Sequence, residues 1–166
     1  MAMARLLPGA LVLSLVLVAC GDDGVVADRE EGREVGVYAA IITDVAEGVV
    51  LVEEDAEPAD RLVFVEALDP EVPIPLRVQV GVVTELEEVV RVVFIDDRDE
   101  AVVRAEDHAP VREGAALVAV GPVGEGSVRV RVDAVVYEDD RRQQPYRYVV
   151  EWVDEAWEVA ERRPAG

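Results

Sequence analysis

The stretch that decides the fold is SVRVRVDAVVYE, residues 127–138, near the end of a chain of 166 residues. Its apolar side chains alternate with Arg129, Arg131 and Asp133, so one face of an extended segment is apolar and the other is charged. A period of two is typical of a β-strand that buries one face. We therefore predict a half-buried strand over residues 127–138.

The neighbouring segments extend this strand into a sheet. Strand-like apolar runs cover residues 115–120, 145–153 and 156–160. Turn-forming residues separate the runs at 124–126, 139–144 and 154–155. Consecutive strands joined by short turns form an antiparallel meander, and a sheet of this length can curve around a helix. We predict a curved antiparallel β-sheet at the C-terminal end of the chain.

The first half of the chain contains the helix that this sheet needs. Apolar and small residues follow the i, i+3, i+4, i+7, i+8 spacing of a helix face from Val37 to Val45, and Gly48 is placed to end the helix. Residues 76–88 fit both a helix and an alternating strand. We prefer the helix, because Pro75 suits the start of a helix.

The remaining elements are shorter. We predict a strand pair from residues 49–52 and 61–68, a buried strand over 91–95, and a helical turn in 96–104 that is capped at its amino end. Together these elements predict an α+β fold in which the curved sheet packs on one or two helices.

Composition restricts the partners that the chain can bind. The sequence has 36 acidic against 16 basic residues, and the formal net charge is -20. Such a surface repels polyanions, so nucleic acid is excluded as an expected partner. The single cysteine, Cys20, leaves no disulfide to form within the chain.

The N-terminus carries an export signal. Arg5 precedes an apolar run over residues 10–19, which matches the core of a signal peptide in length and is too short to span a bilayer. The run ends in Leu17-Val18-Ala19-Cys20, which resembles the lipobox of bacterial lipoproteins. That resemblance implies cleavage before Cys20, acylation of its thiol, and anchoring in the lipid bilayer at the outer face of the cytoplasmic membrane.

This reading divides the chain into three parts. Residues 1–19 are the signal peptide, residues 20–33 a lipidated acidic tether, and residues 34–166 a single α+β domain. We expect the tether to be unfolded, because a segment of Gly, Asp, Glu and Arg buries little apolar surface.

The mature domain also resembles known domains at its ends. Val37-Tyr38-Ala39-Ala40 and the closing strands are similar to uncharacterised actinobacterial lipoproteins. The last fifteen residues or so, with a penultimate strand, a short turn and Trp157-Glu158-Val159, are similar to cystatin-like and nuclear-transport-factor-like domains. Neither resemblance brings a catalytic motif.

The acidic clusters are candidate calcium ligands. Asp96, Asp97 and Asp99 follow the predicted strand at 91–95 and offer the hard oxygen atoms that Ca²⁺ prefers. No cluster has the spacing of an EF-hand loop, and solvated loops are the alternative.

A hydrolase would need a nucleophile and a base. Ser127 is the only serine after the predicted signal peptide and His108 is the only histidine, but the sequence around Ser127 lacks the Gly-x-Ser-x-Gly pattern of a nucleophile elbow. Acylation would remove the thiol of Cys20 as a nucleophile. We therefore expect no enzyme and no cofactor.

The closing strands hold most of the aromatic residues, and four of them are candidates to line a ligand pocket on a concave sheet: Tyr146, Tyr148, Trp152 and Trp157. The alternative is that they fill the core. The sequence predicts a membrane-anchored, non-enzymatic binding module of the cell envelope, whose partner is another envelope protein or a small ligand. A Ca²⁺-responsive module is the second hypothesis and a hydrolase the third.

Overall fold

A computed structural model describes residues 23–49, 61–104, 109–137, 139 and 141–166. The predicted α+β fold is confirmed: two helices pack against one face of a six-stranded sheet that does not close. The helices are α1 (Asp23–Val49) and α2 (Leu76–Leu86). The strands are β1 (Leu62–Ala67), β2 (Arg91–Phe94), β3 (Ala115–Val120), β4 (Arg129–Tyr137), β5 (Gln143–Val153) and β6 (Ala156–Pro164).

The predicted meander is present. Strands β3, β4, β5 and β6 are neighbours in the sheet and pair antiparallel. The β5–β6 turn places Asp154 and Glu155 in the left-handed region, with φ of 48° and 67°. Two successive left-handed residues match the twist of a two-residue hairpin. The alternation that begins at Arg129 therefore identified the sheet correctly.

The prediction described an antiparallel sheet, whereas the complete sheet is mixed. β1 pairs in parallel with β2 on one side and with β3 on the other, in the order β2-β1-β3-β4-β5-β6. The connection from β1 to β2 runs through α2, as parallel pairing requires a crossover. The helix preferred for residues 76–88 is therefore confirmed, and it supplies that crossover.

The strand predicted over residues 61–68 is confirmed as β1, but its predicted pairing with residues 49–52 is wrong. Val49 is the last residue of α1, and residues 50–52 lie outside the described residues. Both edges of β1 are occupied by β2 and β3, so no edge remains for a hairpin partner. The strand predicted at 91–95 exists as β2, but it lies at the sheet edge, and Val92 is its one buried residue.

The helix α1 begins earlier than predicted. It starts at Asp23, so residues 23–33 are helical and the expectation that they are unfolded is wrong. A helix that is already nucleated extends at one hydrogen bond per residue, which lets a polar segment continue it. The limits of the predicted tether and domain stay predictions. Among the described residues, no helix is long and apolar enough to cross a membrane.

The main core lies between the helices and the sheet. Ile41, Val45 and Val37 of α1 are fully buried, as are Val118 of β3 and Val78 of α2. Gly81 of α2 lets the two helices approach, because a Cβ atom there would lie 2.5 Å from Cγ2 of Val35. Burying such side chains stabilises the fold by about 1.5–3 kcal/mol each.

A smaller cluster covers part of the opposite face. Phe64, Leu117 and Tyr137 are buried there beneath Ile95 and Ala101 of the segment that follows β2. The rest of that face carries charged pairs, such as Arg129 with Glu151 at 2.7 Å.

Candidate functional site

An open groove of about 590 Å³ runs along α1. Its floor is the row of small α1 residues at 36, 39, 40 and 43, which follow one another at helical spacing. One wall is the end of α2, with Glu85 and Leu86, and the other is the start of β6, from Ala156 to Val159. The groove is formed where the β5–β6 hairpin passes beside α1.

Trp157 gives the groove its aromatic wall. Its side chain faces α1 and contacts the floor at Gly36, where a Cβ atom would lie 2.5 Å from Cδ1 of the indole. Only glycine allows this contact without displacement of the ring. Trp152 packs edge-on against Trp157, with ring centroids 5.6 Å apart. The wall is therefore held from both sides.

Four acidic residues line the groove: Asp44, Glu47, Glu85 and Glu158. Glu158 lies opposite Glu151, whose carboxylate pairs with Arg129 on the far face of the sheet, so its side chain points away from the helices. Asp44 pairs with Arg162, and Glu47 and Glu85 form no ion pair with any residue in the part of the chain that the structure describes. No lysine exists in the chain, and no arginine lines the groove among those residues. The surface is thus an apolar trough with a negative rim.

Asp44 is held in place by β5 and β6. Its Oδ2 accepts a hydrogen bond from the hydroxyl of Tyr148 at 3.1 Å and one from Nη1 of Arg162 at 3.1 Å. The Arg162 guanidinium also lies 4.0 Å from the ring centroid of Tyr146. Burial raises the pKa of Tyr148, and the negative charge of Asp44 acts in the same direction. The hydroxyl therefore remains a donor at neutral pH.

The four predicted pocket residues share the helix-facing side of the hairpin but do not form one pocket. Tyr148 is fully buried in the core, and Tyr146 is partly buried beside it. Trp152 is 46% exposed near the hairpin turn. Trp157 alone lines the groove. The space that a ligand would need under α1 is filled by side chains, and the groove lies at the margin of the helix.

The predicted calcium ligands do not converge. Oδ1 of Asp97 accepts a hydrogen bond from the backbone nitrogen of Asp99, which caps the short 3₁₀ turn Arg98–Glu100. The carboxylate of Asp99 pairs with Arg104, and Asp96 is exposed. In the described ranges, no three acidic, histidine or cysteine side chains are arranged to hold a metal ion. The cap confirms the helical turn that was predicted for 96–104.

Of the residues considered for a hydrolase, the structure describes Ser127 alone. Ser127 is exposed in the loop before β4. His108 lies outside the described residues, as does Cys20.

Two further clusters lie outside the groove. On the opposite face, Arg98 donates to Glu66 and, at 3.0 Å, to the hydroxyl of Tyr137. Burial raises the pKa of Tyr137, and the charge of Arg98 opposes that rise. On α2, Leu76, Val80 and Val83 form an exposed apolar patch above β2. Neither cluster was singled out from the sequence.

No protein-family model, curated protein or solved structure matches the chain. The lipobox and the domain resemblances therefore stay predictions, and the groove has to be interpreted from its own chemistry. Sequence reasoning missed the groove because its lining comes from three elements far apart in the chain. The row of small residues on α1 was the available signal.

Proposed function

We propose that this chain is an exported lipoprotein, anchored through Cys20, that acts as a non-enzymatic binding module of the cell envelope. The observation that carries the binding role is the open groove along α1 with its Trp157 wall. Grooves with apolar walls and a few charged groups are typical of recognition sites for a segment of another molecule. Its partner is another envelope protein.

The anchor is supported by the sequence around Cys20. The aliphatic and small residues Leu17, Val18 and Ala19 stand directly before the only thiol of the chain. Two acyl chains hold a protein stably at a bilayer, since each buried methylene contributes about 0.8 kcal/mol. An anchored binding module needs no transmembrane helix.

The anchor is tested in a bacterial host that lipidates exported proteins. The wild-type chain is expected to incorporate an alkyne-labelled palmitate and to fractionate with membranes. The Cys20→Ser variant is expected to take up no label and to leave the membrane fraction. Equal labelling of the two proteins, or equal fractionation, would show that Cys20 is not the anchor.

The binding role is tested by photo-crosslinking in the same cells. A photo-reactive amino acid is placed at Thr43 in the groove and, as the matched control, at Arg131 on the exposed opposite face of β4. We expect a discrete adduct from position 43 alone. The same adducts from both positions, or none from either, would contradict a binding role for the groove.

A further inference from the structure

The chemistry of the groove indicates what kind of segment it takes. Glu47 and Glu85 leave two unpaired carboxylates on the groove, whereas Asp44 is already paired with Arg162. No basic side chain lines the groove among the described residues. The two unpaired charges therefore favour a ligand that carries at least two positive charges.

The walls and floor add an apolar requirement. Trp157, Val159 and Leu86 offer apolar surface beside the carboxylates. Lysine and arginine side chains match this combination, because their aliphatic stems cover apolar surface while their charged ends reach carboxylates. An indole face also attracts a cation that lies over it.

The length and openness of the groove favour a peptide over a small amine as the ligand. The lining residues of α1 extend from Gly36 to Glu47, which corresponds to about 16 Å along the helix axis. Sites for small ligands enclose most of the ligand surface, whereas this groove is open along its length. Small side chains on the floor also allow a backbone to come close.

We propose that the groove between α1, the end of α2 and the start of β6 binds a basic peptide segment of the partner protein, with its Lys or Arg side chains at Glu47 and Glu85 and apolar groups of the same segment against Trp157. This inference rests on the proposed binding role and specifies the partner's chemistry. It commits to a polypeptide that contributes at least two basic residues to the groove.

The test follows the fluorescence of Trp157 in the full chain. The Trp152→Phe variant leaves Trp157 as the sole tryptophan, because the chain has two. The probe is an amphipathic peptide of Leu and Lys, about 14 residues or four helical turns long, and its partner probe has Glu in place of Lys. We expect saturable quenching or a shift of Trp157 emission with the Lys peptide alone.

Charge variants separate the groove from the overall negative charge. Glu47→Gln combined with Glu85→Gln is expected to weaken Lys-peptide binding about tenfold. The matched control, Glu71→Gln combined with Glu113→Gln, removes the same charge from exposed positions outside the groove. It is expected to change binding less than about twofold. Equal weakening in both variants would overturn the proposal, since long-range attraction alone would then explain binding.

Two further results would also overturn it. If spermidine displaces the Lys peptide completely at the same total concentration of positive charge, the groove binds a small polyamine and not a peptide. The variant Val80→Gln changes the exposed apolar patch of α2. If it weakens peptide binding as much as the groove variants do, the peptide binds outside the groove. Failure of the peptide test together with a position-43 crosslink in cells would leave the binding role intact and reject only the basic ligand.

Discussion

The two faces of the sheet are built from the same alternating strands, yet they carry different structures. On one face, valines 130, 132 and 136 of β4 meet α1 and α2 in the main core. On the other face, Arg129, Arg131 and Asp133 of the same strand are exposed. The comparison teaches that the alternation along one strand separates the face that the helices cover from the face that stays in contact with solvent.

Each face also has a tyrosine that contacts an arginine and a carboxylate, and the hydrogen bonds of the two tyrosines differ. Under α1, Tyr148 is fully buried and donates to Asp44; burial raises the pKa of its hydroxyl, and the charge of Asp44 adds to that rise. On the opposite face, the Tyr137 hydroxyl accepts from Arg98, whose positive charge favours ionisation of the phenol. Burial raises the pKa of both tyrosines, and the neighbouring charge adds to that rise at Tyr148 and opposes it at Tyr137.

The largest expected effect comes from breaking the helix-covered core. Ile41 of α1 is fully buried, so Ile41→Ala should lower the free energy of unfolding by about 2–5 kcal/mol through lost burial and the cavity that remains. Urea unfolding followed by circular dichroism measures the change. Leu76→Ala is the matched control, because Leu76 is 73% exposed on α2 and should cost less than about 1 kcal/mol. Similar losses in both variants would contradict the assignment of the core.

The next largest effect is expected at alkaline pH, where tyrosines on the two faces should contribute differently to the free energy of unfolding. Burial raises the pKa of Tyr38 on α1 to about 12, and the charge of Glu34 adds to the rise. The unfolded chain loses this proton near pH 10, so it binds fewer protons than the folded chain between pH 10 and 12, and stability falls as pH rises through that window. The loss attributable to Tyr38 is at most about 1.4 kcal/mol per pH unit.

The variants Tyr38→Phe and Tyr137→Phe test this difference. Removing the Tyr38 hydroxyl should flatten the decline in stability between pH 10 and 12, measured as urea midpoints at half-unit steps. Tyr137→Phe should flatten it less, because Arg98 opposes the rise in the pKa of Tyr137. A decline unchanged by Tyr38→Phe would show that this hydroxyl does not retain its proton in the fold.

A smaller effect is expected where the groove meets the core. Gly36→Ala places a methyl group in contact with the Trp157 indole and should destabilise the fold by about 1–2 kcal/mol, since overpacking outweighs the gain in helix propensity. It should also shift Trp157 emission. Gly32→Ala on the same helix has nothing within 4 Å of the new Cβ atom, and should be neutral or stabilising. Equal effects at both glycines would indicate that Trp157 does not pack on α1.

The smallest effect is expected on the uncovered face. Asp133 of β4 pairs with Arg147 at 2.9 Å, and both side chains are more than half exposed. Asp133→Asn should change the free energy of unfolding by less than about 0.5 kcal/mol, and less still in high salt, because exposed ion pairs are screened by solvent. A loss above about 1 kcal/mol would mean that this face is more tightly organised than its exposure indicates.

The C-terminal meander could be predicted because its information is local. The alternation around Arg131 identifies strand, faces and turns without knowledge of any partner. The parallel pairing of β1 could not be predicted, because nothing within residues 62–67 distinguishes a parallel from an antiparallel neighbour. The pattern also shows that Tyr146, Tyr148 and Trp152 share a face, but not whether that face is hollow or filled.

The groove was not predicted either, because contacts between segments far apart in the chain bring its lining together. Its parts are a row of small residues on α1, one tryptophan of β6 and the end of α2, and each part is ordinary alone. Trp157 was identified as a candidate from its residue type, and the contact with Gly36 that positions it follows only from the fold.

The early start of α1 has a consequence for where the partner must be. Gly36, the first groove residue on the helix, lies about 20 Å along the axis from Asp23. Cys20 lies three residue steps before Asp23, and a fully extended chain of that length spans about 10 Å. If Cys20 carries the lipid as proposed, the near end of the groove can stand no farther than about 30 Å from the bilayer. The proposed binding module would then have a fixed reach, and only segments that lie close to the membrane surface would come within it.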